Sequence, residues 1–102
     1  MSTLYISEYA QVALEGSGQV VPCGKEPVIL NQTVAIGASS AGSNQFTAAT
    51  RFVRLHCDAI CSIAFNQRGA AVATTNDARM AAGQTEFFGV LPGMNVAVIQ
   101  NT

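Results

Sequence analysis

Charge is what this sequence has least of. Five basic and six acidic residues are spread over 102 positions, about half the share usual in a soluble domain, while 49% of the chain is apolar. Lys25, Arg51, Arg54, Arg68 and Arg79 are scattered, so the basic stripe on which nucleic-acid binding depends is missing. Long apolar runs are missing too, and no stretch approaches the roughly 18 to 20 residues that span a bilayer. The amino-terminal MSTLYISEYAQ lacks a basic n-region and carries Glu8 within its apolar part, which argues against a signal peptide. The expectation is a chain made and kept in a cytoplasm until it assembles, with neither nucleic acid nor membrane among its partners.

Catalytic chemistry is equally scarce. His56 is the single histidine, and no serine or cysteine stands in a recognisable motif that would use it as a base. The acids Glu8, Glu15, Glu26, Asp58, Asp77 and Glu86 are widely separated, without the paired context of a glycoside hydrolase. Asn76-Asp77 is followed by Ala78-Arg79 and not by the alternating oxygen ligands of a calcium loop. GASSAGSNQ, residues 37 to 45, is too poor in glycine for a phosphate loop. Cys57 and Cys61 with His56 form a weak zinc pattern, C-x3-C with no second ligand pair. Reduced, buried thiols on neighbouring strands are the expected state of Cys57 and Cys61, and an odd total with Cys23 rules out complete pairing within one chain. No enzyme, metal or cofactor is expected.

What the chain does have is β pattern. Residues 3 to 10, TLYISEYA, alternate, with Leu4, Ile6 and Glu8 on one face and Tyr5, Ser7 and Tyr9 on the other. VILNQTVAIG supplies a strand around Gln32 to Ile36. In RFVRLHC, Val53, Leu55 and Cys57 face one way and Phe52, Arg54 and His56 the other. ICSIAF follows after an Asp58-Ala59 turn, and the two runs are expected to pair as an antiparallel hairpin. AAVATT reads as a weaker strand, and ARM as a short one after the Asn76-Asp77 bend. TEFFGV and NVAVIQ are joined by Leu91-Pro92-Gly93, which has good turn chemistry. Phe65, Phe87 or Phe88, Val53, Leu55, Ile63, Val96 and Val98 are the expected core. Gly16, Gly18, Pro22, Gly24 and Pro27 mark residues 13 to 27 as a loop or extended arm.

Short strands at even spacing, with no amphipathic helix, predict a single all-β domain over residues 1 to 102. The expected form is a compact antiparallel β-sandwich, jelly-roll-like, with about eight short strands. Its mass of 10.6 kDa implies roughly 5,500 Å² of folded surface. Eleven charged side chains cover that poorly. A standard interface takes about 800 Å² from each partner, so self-association into a dimer or trimer, or seating in a larger assembly, is expected.

LYISEY, QTVAIGASS, RFVRLHCDAICSIAF and RMAAGQTEFFGVLPGMNVAVI together resemble a group of short virion proteins of tailed bacteriophages. The likeness spans most of the chain and fades between Ala13 and Pro27. It implies a small β-rich structural protein localised to the virion, in particular a capsid decoration or cement protein bound to itself and to the major capsid protein. Under that reading the contact residues are Tyr5, Tyr9 and the arm, with Gly16, Gly18, Val20, Val21, Pro22, Lys25 and Pro27. A tail or fibre-attachment component is the alternative virion position. A carbohydrate-binding module is the alternative of another class, weakened by the absence of tryptophan and the presence of only two tyrosines.

Overall fold

Alternation sets the architecture. A computed structural model describes residues 2–14, 16–67 and 69–101, with Val20, Val21 and Pro22 described in their backbone only. The strands are β1 (Ser2–Tyr9), β2 (Val12–Leu14), β3 (Val20–Gly24), β4 (Leu30–Ile36), β5 (Ala41–Gly42), β6 (Phe52–Cys57), β7 (Cys61–Asn66), β8 (Ala78–Met80), β9 (Thr85–Gly89) and β10 (Asn95–Gln100). No helix occurs among the described residues. Two antiparallel four-stranded sheets, ordered β4-β1-β6-β9 and β5-β10-β7-β8, enclose one core, and β2 and β3 pair separately.

Every second residue of the long strands supplies that core. Leu4, Ile6, Val34, Ile36, Val53, Leu55 and Cys57 come from the first sheet, and Cys61, Ile63, Met80, Val96 and Val98 from the second. Phe65 and Phe88 close one end of it, their rings tilted at 53° with centroids 5.1 Å apart. Phe46, between strands, is also buried in it. Phe87 is not a core residue; it lies on the outer face of the first sheet. The accessible surface is 5582 Å², close to the expectation from mass.

The expected β6–β7 hairpin does not form. β6 pairs with β1 and β9, whereas β7 pairs with β10 and β8. Asp58 sits at the corner between the sheets: its Oδ1 accepts the Thr3 N–H at 2.6 Å and its own N–H donates to the Thr3 carbonyl at 3.3 Å. Hydrogen bonds at the turn therefore go to β1. Val53, Leu55 and Cys57 then face Cys61 and Ile63 across the core instead of lying beside them.

Ten strands occur among the described residues where about eight are expected, and the differences have local causes. AAVATT is not a strand. Its amides are taken by side chains, Ala71 N–H by Asn95 Oδ1 at 3.0 Å and Ala73 N–H by Ser40 Oγ at 2.8 Å, so it lies as a strap over the second sheet, with Ala71 and Ala73 against Ala64, Ala97 and Ile99. β5 occurs inside the segment expected to form turns. The region expected as a loose arm is an antiparallel pair, Val12↔Gly24, Ala13↔Val21 and Leu14↔Val20, with a register break after Val12. That break leaves Pro22 and Cys23 unopposed, where a residue without an N–H costs no ladder bond. The Leu91-Pro92-Gly93 turn does form, with Gly93 at φ 81°, the position of a type II turn that favours glycine. It carries the chain from one sheet to the other.

Candidate interaction face

The register of the first sheet builds a face residue by residue. On its outer side Thr33, Tyr5, His56 and Thr85 form one row across the four strands. Asn31, Ser7, Arg54 and Phe87 form the next, and Tyr9, Phe52 and Gly89 the third. Neighbours within and between rows interact directly. Tyr5 and His56 have ring centroids 6.2 Å apart, His56 Nδ1 and Thr85 Oγ1 are 2.7 Å apart, and Ser7 Oγ donates to Asn31 Oδ1 at 2.7 Å. Phe52 and Phe87 stack at 5.4 Å with an interplanar angle of 17°. The result is an aromatic face to which the strands themselves, among the described residues, bring one formal charge, Arg54.

Tyr5, 45% exposed, stands open on this face. Tyr9 does not. It is 4% exposed because the backbone at Gly24 lies flat on its ring, where no Cβ has room. Its hydroxyl donates to Glu26 Oε2 at 2.9 Å. Burial first, and the Glu26 carboxylate second, push the Tyr9 phenol above its ordinary range. Tyr9 is thus the anchor by which the β2–β3 unit is held against one end of the face. Lys25 donates its N–H to the Gln11 carbonyl at 3.0 Å, closing the same unit at its base. Gly16, Gly18, Lys25 and Pro27 are exposed, as is Leu14 at 56%; Val20, Val21 and Pro22 fall where side chains are outside the described residues.

The opposite side of β1 holds a feature that sequence reasoning placed but did not interpret. Glu8 is fully buried. Its Oε1 accepts the Thr47 N–H at 2.9 Å and the Thr50 hydroxyl at 2.7 Å, and its Oε2 accepts from Gln32 Nε2 at 3.0 Å. Gln32 Oε1 in turn accepts the Asn44 N–H at 3.0 Å. One carboxyl group therefore ties β1, β4 and the connection over residues 43–51 together, and no buried side-chain nitrogen or oxygen lacks a partner among the described residues.

His56 and the two nearby cysteines are parted by the same alternation. His56 points to the outer face while Cys57 and Cys61 lie in the core. Cys57 Sγ donates to the Ala81 carbonyl at 3.0 Å. Burial, then the adjacent Cys57, pushes the Cys61 thiol up to about 12. Among the described residues no three His, Cys, Asp or Glu side chains gather as a metal site, and no pocket is found. Phe52, Arg54, His56 and Phe87 are the face residues that sequence reasoning did not select. Their alternation was legible, but the cross-strand register that sets them beside Tyr5 was not. No protein-family model, no curated protein and no solved structure matches the chain.

Proposed function

We propose that the protein works by binding through a flat surface, as a structural subunit of an assembly. Within that class, the reading that fits best is a decoration or cement protein of a tailed-phage head, seated between coat subunits. The observation that carries it is the outer face of the first sheet, where Tyr5, His56, Phe52 and Phe87 surround a single Arg54. A flat aromatic face with little charge suits burial against another protein. We read the strand orders as a jelly-roll winding in which the first strand, not the last, fills the slot between β4 and β6. That architecture recurs in viral capsid domains.

The physics of cementing requires no chemistry. Packed DNA presses outward on many identical coat junctions. A rigid sandwich adding buried contact at each one strengthens the shell, and repetition multiplies a modest affinity. The test uses heads stripped of the protein. Wild-type chain added back should bind and raise their resistance to heat, and Tyr5→Ala should weaken binding about tenfold or more, as loss of an interface aromatic does. Because Tyr5 is exposed, its replacement should leave folding stability within about 0.5 kcal/mol. Stripped heads as heat-resistant as complete ones, or missing tails or fibres instead, would defeat the cement reading.

A further inference from the structure

Four strands bound the two sheets, and three of them carry the features that block edge-to-edge pairing. β5 is two residues long, β8 carries Arg79 and β9 carries Glu86. The remaining edge, β4, is seven residues long, LNQTVAI, with no charge, proline or glycine. It is the kind of edge that natural sheets protect or use.

Hydrogen-bond directions show which groups that edge offers. Asp58 N–H donates to the Thr3 carbonyl and Arg51 N–H to the Tyr9 carbonyl, so odd residues of β1 turn their peptide groups toward β6. Ile29 N–H donates to the Glu8 carbonyl at 2.7 Å, so even residues turn toward β4. With Leu4↔Val34, Ile6↔Gln32 and Glu8↔Leu30 in register, the peptide groups of Leu30, Gln32, Val34 and Ile36 meet β1. Those of Asn31, Thr33 and Ala35 therefore point away from the sheet. The side chains of the same three residues are exposed on the outer face, and no further strand pairs with this edge among the described residues.

We infer that β4 pairs antiparallel with β4 of a second copy about a two-fold axis at Thr33, joining two four-stranded sheets into one of eight. This register sets Thr33 against Thr33, Asn31 against Ala35 and Ala35 against Asn31. Each outward N–H of one copy then meets an outward C=O of the other, and the reverse, with none left over. No like charges meet, and the central pair is threonine on threonine, a favourable cross-strand neighbour. The occupant is a second copy because the edge is complementary to itself in length, polarity and charge. An isologous contact of this kind closes at two, and it would align both aromatic faces on one continuous surface.

The inference stands independently of the virion reading, since it concerns the free protein. The experiment is light scattering of the purified chain from micromolar to millimolar concentration, on wild type, Thr33→Pro and Thr33→Lys. Proline at 33 removes an N–H that β1 does not use, which edge strands tolerate; lysine leaves the backbone intact and sets two cations face to face. Wild type should reach twice the 10.6 kDa chain mass, and both variants should remain at the single-chain mass with unchanged circular dichroism. If Thr33→Pro loses its fold, Thr33→Lys alone decides. A wild-type monomer throughout would overturn the inference and leave the edge to a strand of another protein. A folded Thr33→Lys that still doubles in mass would overturn it equally, by placing the contact elsewhere.

Discussion

Glu8 shows how much one side chain can organise. The alternation of TLYISEYA places it on the inner face with Leu4 and Ile6, and the structure agrees. Its partners were not legible, because Thr47 and Thr50 lie about forty residues away in a segment without strand pattern. Glu8→Ala leaves the Thr47 N–H without its acceptor, weakens the hold on Thr50 and Gln32, and opens a cavity. The expected loss is about 3 to 5 kcal/mol. Glu8→Gln keeps the shape and one acceptor oxygen, so about 1 to 2 kcal/mol is expected. Urea unfolding of both variants would measure the difference, and equal losses would show that the hydrogen bonds to Oε1 contribute little. Tyr9 illustrates the converse. Its place opposite Ile6 in the alternation suggested an open contact surface. What covers it is a glycine chosen from outside the strand, and nothing in a period of two announces that.

At the scale of elements, strands were legible wherever alternation was strong, and their partners were not. β1, β4, β6, β7, β9 and β10 all lie where the pattern puts them. The supposed β6–β7 hairpin failed because a short turn between two apolar faces serves equally well as a corner between two sheets, and the Asp58 contacts with Thr3 decide for the corner. The β2–β3 unit was hidden by its glycines and prolines, which the register break accommodates. Its docking has a pH dependence that can be worked out from Tyr9. The folded phenol holds its proton more tightly than the unfolded one, by burial and then by Glu26. Its contribution to stability is therefore complete below the unfolded tyrosine value of about 10 and is lost as pH rises through the higher folded value. Limited proteolysis should find residues 16–24 resistant at neutral pH and progressively cut above the tyrosine range. Tyr9→Phe, which cannot ionise, should lose about 1 to 2 kcal/mol at neutral pH and show no such rise in cutting. A pH-dependent rise that persisted in Tyr9→Phe would assign it to another group.

Across the whole molecule, the pairings that hold the sandwich together join distant parts of the chain. β1 lies between β4 and β6, so Leu4 meets Cys57. β10 lies between β5 and β7, so Val98 meets Ala41. Each sheet is thus incomplete until strands from both halves of the chain are present, and the core is shared by both sheets from the start. Neither sheet can bury its apolar face alone, which predicts one cooperative transition instead of two. The loops that must close before any of these contacts form are long, and no helix occurs among the described residues to form first. Refolding is therefore expected to be single-exponential and to take roughly milliseconds to seconds, the range of all-β sandwiches. Stopped-flow fluorescence of the tyrosines after dilution from urea would measure it, at concentrations low enough to keep copies apart. Recovery of the full native signal in microseconds would contradict the topology, since the pairings that complete both sheets join distant parts of the chain.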